Sequence, residues 1–136
     1  MSKGFIFKTK VYYEDTDVGG VVYYANYLKF TERARTEAIK ELGLSNTYLI
    51  KNNNAFIIVK SCNLDFKKSA HLEDELKIFS SINFISKTSF KMNQEIRRGD
   101  ELLVSSSVHL VLINKEGKII KIPKILSEKL KFFLFK

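Results

Sequence analysis

The sequence has few cysteines, prolines and glycines, the residues that are typical of disulfide-bonded, zinc-binding or disordered proteins. Cys62 is the only cysteine, so neither an intrachain disulfide nor a cysteine zinc cluster can form. A single proline, six glycines and no low-complexity tract argue against a disordered or linker-rich chain. Hydrophobic residues make up 45% and charged residues 28% of the 136 positions, which is ordinary for a globular protein. We therefore expect one domain over residues 1–136, large enough to bury its own core.

Long apolar runs are also missing. The N-terminal segment Phe5-Ile6-Phe7 is interrupted at once by Lys8, so it is too short for a signal peptide. No other run approaches the roughly 20 apolar residues that a membrane span needs. A lone cysteine is typical of a reducing compartment. We expect a cytoplasmic protein with no stable membrane insertion.

The common catalytic and nucleotide-binding motifs are absent. The chain has no phosphate loop, no dinucleotide-binding glycine motif, no zinc-protease motif and no nucleophile elbow. Its two histidines are His71, which we place in a loop, and His109, which we interpret as a hydrogen-bonded residue of a strand. We interpret Cys62 as a small buried apolar residue. No metal site and no cofactor are expected.

The net charge of +8 permits several anionic partners: nucleic acid, an anionic membrane, or a small molecule that carries phosphates. The lysines occur along the whole chain, a pattern typical of a solvated surface. A nucleic-acid-binding protein would need clustered basic residues with interleaved aromatic residues. We therefore expect no nucleic-acid partner.

Hydrophobic periodicity predicts the order of the elements. Residues 5–13 alternate in polarity, as a strand does, and residues 25–42 follow a helical period that ends at Gly43. The helix has an apolar stripe made of Tyr27, Phe30, Ala34, Ala38 and Leu42.

Four more strands are predicted, at residues 55–66, 76–85, 89–97 and 102–114. Hairpin turns are predicted at residues 98–100 and 115–117. A short strand tail is expected at 119–122. A helix is expected after Pro123, with Leu126, Leu130 and Phe133 on one side. One strand, a long helix and then a series of strands is not the alternation that builds a parallel sheet. The fold class is α+β, with an antiparallel sheet wrapped around one central helix.

The segment between the first strand and the helix carries the chemistry. Asp15 and Asp17 precede a glycine pair, Gly19-Gly20, just before the helix begins. Such carboxylates often form only Asx turns. A carboxylate beside a helix N-terminus also suits acyl transfer, because the free backbone N–H groups there stabilise developing negative charge. Asp17 is our candidate for that role, and Asp15 is the better candidate for a turn.

The sequence of this segment closely resembles the signature of the 4-hydroxybenzoyl-CoA thioesterase family, and within it the YbgC-type acyl-CoA thioesterases associated with the Tol-Pal system. The resemblance is strongest from Tyr13 to Arg35. It rests above all on the run Tyr13-Glu14-Asp15-Thr16-Asp17-Val18-Gly19-Gly20-Val21-Val22-Tyr23-Tyr24-Ala25-Asn26-Tyr27. Weaker similarity continues through residues 58–66, 86–90 and 121–123.

The resemblance implies a hot-dog fold and the hydrolysis of acyl-CoA to a carboxylic acid and CoA. It implies that Asp17 attacks the thioester or activates water, while the backbone N–H of Tyr24 polarises the carbonyl group. Many YbgC-type members have histidine at the position of Tyr24, a change that a backbone role tolerates. Val22 and Tyr23 are assigned to substrate binding, and the positive charges of Lys60, Lys87 and Lys68 would suit the phosphates of CoA.

The resemblance also implies dimers that join their sheets edge to edge, pair into tetramers, and form the active site between two subunits. Two other functions are compatible with this fold. A hydratase or dehydratase acting on acyl thioesters would normally bring a histidine to the site, and none lies near Asp17 in the sequence. An acyl-CoA-binding module without catalysis would keep the pocket but usually needs a separate effector domain.

Overall fold

The computed structural model describes residues 4–134 and contains one five-stranded sheet and three helices. The strands are β1 (Phe5–Lys10), β2 (Phe56–Phe66), β3 (Glu75–Ile85), β4 (Ser89–Arg98) and β5 (Glu101–Ile113). The helices are α1 (Asn26–Glu41), α2 (Asn46–Asn53) and α3 (Lys124–Leu130). The strand order is β1-β3-β4-β5-β2, and every neighbouring pair is antiparallel. The predicted α+β class and antiparallel sheet are confirmed.

Helix α1 is the central helix that the periodicity predicted. All five residues of its predicted apolar stripe are buried. Ala34 and Ala38 lack bulky side chains, so the helix lies close to the sheet. Gly43 follows the helix with φ +83°, a left-handed conformation that glycine adopts at little cost.

The core divides along α1 into two apolar clusters. The first half of the helix packs with residues at one end of the sheet, among them Val22, Leu76 and Ile96. The second half packs with α2 and α3 at the other end.

A polar contact lies on the middle of α1. The fully buried Gln94 of β4 donates from Nε2 to the carbonyl oxygen of Thr31 (3.0 Å) and to Oγ of Ser80 (2.9 Å). Its Oε1 accepts a hydrogen bond from Arg35 (3.0 Å). These bonds satisfy the buried amide, which would otherwise be costly, and fix the helix on the sheet.

Three sequence expectations are corrected. Strand β1 ends at Lys10, not at residue 13, because Tyr13–Asp15 forms a 3₁₀ turn closed by a bond from the Tyr12 N–H to Asp15 Oδ2 (2.9 Å). Residues 119–122 make a single bridge, between Ile113 and Ile119, instead of a strand. Cys62 is exposed, because β2 is an edge strand.

Helix α2 was not predicted. Ser45 caps it through Oγ, which accepts the N–H of Tyr48 (3.0 Å). Only Leu49 of its eight residues is buried, so the apolar period is too weak to read from sequence. The predicted hairpin turn between β4 and β5 and the predicted helix after Pro123 are both present. None of the helices in the described part of the chain is long and apolar enough to cross a membrane.

Candidate active site

Asp17 lies in a short loop that is closed by backbone hydrogen bonds. Thr16 and Val22 form an antiparallel bridge, and the Asp17 N–H donates to the carbonyl oxygen of Val21 (2.9 Å). The Oδ1 atom of Asp17 accepts the N–H of Gly19 (2.8 Å), which is an Asx turn. Within residues 4–134 the other carboxylate oxygen, Oδ2, has no hydrogen-bond donor, and the residue is exposed. One oxygen therefore orients the carboxylate and leaves the second accessible.

Asp15 has a different environment. It is buried, its Oδ2 accepts the Tyr12 N–H, and its carbonyl oxygen accepts hydrogen bonds from Asn26 Nδ2 (3.0 Å) and from the Tyr23 N–H (2.9 Å). These contacts tie the loop to the first residue of α1. Asp15 thus has the turn-forming role that the sequence favoured for it.

The backbone N–H of Tyr24 is a free donor at the start of α1. The N–H groups of Tyr23 and Asn26 are both bonded, to Asp15 and to Tyr23. In residues 4–134 the Tyr24 N–H has no acceptor, and α1 begins two residues later. An unpaired donor at the positive end of a helix dipole can hold a developing oxyanion.

A neighbouring segment, residues 67–74, supports the Asp17 loop from the side. The Val22 N–H donates to the carbonyl oxygen of Ala70 (2.9 Å), and the Leu72 N–H donates to that of Gly20 (3.1 Å). The Ala70 N–H donates to the hydroxyl of Tyr27 (3.0 Å), and burial raises the pKa of this phenol. The loop geometry therefore depends on where this segment lies.

An ion-pair network centred on Arg98 fastens the supporting segment to the β4–β5 turn. Arg98 donates to Asp74 Oδ2 (2.7 Å) and to Glu101 Oε1 (2.6 Å), and Lys68 pairs with Glu101 Oε2 (2.8 Å). Asp74 Oδ2 also accepts the N–H of His71 (2.8 Å). The sequence offered no signal for this network, since its members lie up to 33 positions apart.

The network shifts the pKa values of its members. Desolvation opposes ionisation of Asp74, but hydrogen bonds from Arg98 and from the His71 backbone outweigh it and lower the pKa of the carboxyl group. Hydrogen bonds from Lys68 and Arg98 lower the pKa of Glu101 to about 2. Both carboxylates therefore stay ionised well into acid, and the network persists at neutral pH.

A groove runs along α1 beside β2, and we name it the α1–β2 groove. It begins at Leu28, one helical turn beyond Tyr24. Its first part has a volume of about 300 Å³ and is lined on the sheet side mainly by Val59, Cys62 and Leu64. It continues past Arg35 into a narrower part of about 130 Å³ beside Phe90 and Met92. Sequence reasoning missed this groove, since both of its walls come from elements distant in the chain.

The other predicted binding residues are scattered. Val22 is buried and Tyr23 is exposed, and both lie in the segment between Asp17 and α1. Lys60 is exposed on β2, at a bulge between Val59 and Ser61. Lys87 lies in the β3–β4 turn, at the opposite end of the sheet from Asp17, since the 11 residues of β3 span about 35 Å. One subunit therefore does not bring Lys87 to Asp17.

The two histidines differ in position: His71 forms an antiparallel bridge with Val21 of the Asp17 loop, whereas His109 lies on β5. His109 Nε2 is 3.0 Å from Ser89 Oγ, so it is the hydrogen-bonded strand histidine that the sequence predicted. Burial and then the charges of Lys60 and Lys91 lower the pKa of its imidazole. His71 is exposed between β2 and β3, outside both strands, as predicted.

The sequence profile of the thioesterase-like superfamily matches residues 11–130, from the end of β1 through α3. This chain belongs to the thioesterase-like superfamily. The match includes the Asp17 loop, α1, and all of the sheet except β1. The family membership inferred from the Tyr13–Arg35 motif is confirmed.

Individual proteins and solved structures that resemble this chain point to the same superfamily. The chain is 33% identical over 114 residues to the acyl-CoA thioesterase YbgC of Haemophilus influenzae, covering 84% of each chain. It is 37% identical over 108 residues to the acyl-CoA thioester hydrolase YbgC of Escherichia coli O6:H1, covering 79% of this chain and 80% of that one. The crystal structure of a probable thioesterase from Bartonella henselae superposes with a TM-score of 0.86 at 36% identity, over 88% of this chain and 99% of the other. The predicted hot-dog fold of this superfamily is confirmed.

Proposed function

We propose that this protein hydrolyses acyl-CoA thioesters, with Asp17 as the catalytic carboxylate and the Tyr24 N–H as the donor to the carbonyl oxygen. The observation that carries the proposal is one short segment that holds an accessible carboxylate oxygen and an unpaired backbone N–H at a helix start. The YbgC relatives, named as acyl-CoA thioesterases, supply the substrate class.

The reaction begins with a thioester carbonyl bound against the Tyr24 N–H. Negative charge grows on the carbonyl oxygen as a nucleophile adds to the carbon, and the helix N-terminus stabilises that charge. In one route Asp17 attacks and forms a mixed anhydride, the C–S bond breaks to release the CoA thiolate, and water then cleaves the anhydride. In the other route Asp17 takes a proton from water as its oxygen adds to the carbonyl carbon, the C–S bond then breaks, and the CoA thiolate takes up the proton. Both routes give a carboxylic acid and CoA.

The α1–β2 groove is where we place the acyl chain. It begins one turn beyond the Tyr24 N–H, so a carbonyl group bound there directs its acyl chain along the helix. Its walls are mostly apolar, with Leu28, Val59 and Leu64 at the entrance. Such a surface stabilises an alkyl or aryl group through the hydrophobic effect.

A second copy of the chain completes the site in this proposal. Strand β2 is an edge strand, and its Ile58 and Val59 are 40% and 47% exposed. Edge strands have unpaired backbone groups that can pair with another strand. If two β2 strands pair antiparallel across a twofold axis, the strands of the partner's sheet run in the opposite direction to those of this chain. The partner's β3–β4 turn then lies at the same end as this chain's Asp17. Such a dimer reconciles Lys87 with CoA binding.

Two finer features belong to the same proposal. The family resemblance favours pairing of these dimers into a tetramer. The single, exposed Cys62 suits a reducing cytoplasm, where the thiol stays free.

The test of the reaction is release of free thiol from a panel of acyl-CoA substrates. We expect Asp17→Asn to lower kcat by at least about 100-fold with an unchanged melting temperature, because it removes the charge and keeps the shape. Asp100→Asn is the matched control, since Asp100 is exposed in the β4–β5 turn and its side chain makes no hydrogen bond within residues 4–134. Binding of acyl-CoA without any thiol release would instead favour the non-catalytic module.

The test of the assembly is light scattering at micromolar concentration. We expect a dimer or tetramer for the wild type. Val59→Lys places like charges near the proposed twofold axis and should shift the species toward the monomer. An active wild-type monomer would contradict the intersubunit site and leave the assignment of Asp17 intact.

A further inference from the structure

The positive charge of this protein is concentrated near its C-terminus, although lysines occur throughout. Residues 115–136 hold seven lysines and only two glutamates, so they carry five of the eight net positive charges. The structure places much of this segment on one surface, around α3 and the 3₁₀ turn Lys131–Phe133 that follows it.

Helix α3 has apolar residues on both of its sides. Leu126, Leu130 and the following Phe133 are buried against the core. On the outer side, Ile125 is 39% exposed and Phe132 is 68% exposed. Ile125 lies near the start of α3 and Phe132 in the 3₁₀ turn that continues it, with the exposed Glu128 between them in the chain.

Lysines flank this outer stripe. Lys121, Lys124 and Lys131 are all exposed, and none of the three forms an ion pair within residues 4–134. Lys129 differs, because its Nζ reaches Gly43 beside the C-terminal end of α1, where a cation is favourable. We name Lys121, Lys124, Ile125, Lys131 and Phe132 the α3 surface.

We propose that the α3 surface binds anionic lipid bilayers peripherally. Lysines near a bilayer are attracted to anionic headgroups, and apolar side chains among them can enter the headgroup region. The helix lies on the membrane surface in this arrangement and does not cross it. Electrostatic attraction makes the larger contribution to this contact, so binding is reversible and weakens as the salt concentration rises.

The charge pattern favours a membrane over the other occupants. A second copy of the chain would bring the same lysines face to face, where like charges repel. CoA would engage the lysines through its phosphates and Phe132 through its adenine ring, but it would give no role to the exposed Ile125. An anionic bilayer matches the lysines and both apolar side chains.

The test is sedimentation with vesicles of equal parts phosphatidylglycerol and phosphatidylcholine, compared with vesicles of pure phosphatidylcholine. We expect the wild type to bind only the anionic vesicles and to dissociate at high salt. The triple variant Lys121→Gln, Lys124→Gln, Lys131→Gln should lower the partition coefficient at least about 30-fold. Phe132→Ala should lower it several-fold at unchanged charge.

Matched variants on the exposed face of β1 and β3, which points away from the core, provide the controls. Lys8→Gln, Lys10→Gln, Lys77→Gln removes the same charge from β1 and β3, and Ile6→Ala removes an exposed apolar residue there. These changes should alter binding at most about threefold. Melting temperatures of all variants verify folding, so the test does not depend on enzymatic activity.

Three results would overturn the proposal. Equal losses in the two triple variants would mean that net charge alone drives adsorption. A raised KM for acyl-CoA in the Lys121/Lys124/Lys131 variant, without loss of vesicle binding, would assign these lysines to CoA. A change of oligomeric state in Phe132→Ala would assign the surface to another copy of the chain.

Discussion

The two ends of the sheet use positive charge differently. At the Asp17 end, Arg98 and Lys68 are bonded to Asp74 and Glu101, and the network supports a loop that must keep its shape. At the α3 end, Lys121, Lys124 and Lys131 have no such partners among the described residues and stand beside exposed apolar side chains. Paired charges fix geometry, whereas unpaired charges remain available to a ligand.

Among the basic residues at the two ends of the sheet, the largest effect is expected from substituting Arg98 at the Asp17 end. Arg98→Ala leaves Asp74 and Glu101 without their shared cation, and both are only partly exposed. We expect a lower free energy of unfolding and a several-fold lower kcat, because the supporting segment loosens. Urea unfolding and thiol-release assays measure the two effects.

Arg97→Ala is the control for that variant. Arg97 pairs with Glu95 across a more exposed surface, 37% and 41% accessible, so little stability should be lost. If both variants lower kcat equally, the Asp17 loop does not depend on the Arg98 network.

The second-largest effect is expected from acid, which should lower the stability that the ion pairs of Asp74 and Glu101 contribute. The pKa of Asp74 is lowered and that of Glu101 is about 2 in the folded protein, so the unfolded chain binds more protons at mildly acidic pH. Their stabilisation is complete above about pH 5 and is lost as the pH falls toward 2. Thermal unfolding between pH 7 and pH 3 should show this decline. The same series on Arg98→Ala should be flatter, and equal slopes would contradict the assignment.

Lys87→Ala should have a smaller effect, confined to substrate binding. Contacts to CoA phosphates are made equally in the ground state and the transition state, so KM should rise a few-fold while kcat stays nearly constant. Added salt should raise the wild-type KM in the same way. A substrate truncated to its pantetheine portion lacks the nucleotide phosphates and should respond to neither change. Equal salt sensitivity of both substrates would refute the role.

The smallest effect on stability is expected from Lys124→Gln at the unpaired end. Lys124 is exposed and makes no ion pair within residues 4–134, so the free energy of unfolding should change by less than about 0.5 kcal/mol. Differential scanning calorimetry would detect a larger change, and such a change would show that this lysine is part of the folded framework.

Most of the fold was predictable because its elements have strong periods. The apolar stripe of α1 and the alternation of β3 to β5 fixed these elements to within about one residue. Helix α2 was missed because its stability comes from a cap and one buried leucine. The burial of Cys62 was mispredicted, since the alternation of a strand does not tell whether it lies at an edge.

The site was predictable only where its residues are contiguous. The Asp17 loop and the Tyr24 N–H lie in one short segment, and local hydrogen bonds give that segment its shape. Lys87 was assigned from its positive charge, and its distance from Asp17 within one chain depends on the direction of β3.

The sequence by itself determined the long helix α1, the long strands, the antiparallel class and the identity of the candidate carboxylate, because each follows from patterns of residues close together in the chain. The tertiary structure decided which charges are paired, which strand is an edge, and where the α1–β2 groove and the α3 surface lie. The physical reason is distance along the chain. Arg98 meets Asp74, and α1 meets β2, only after the sheet has formed, and no local pattern encodes contacts made by residues so far apart.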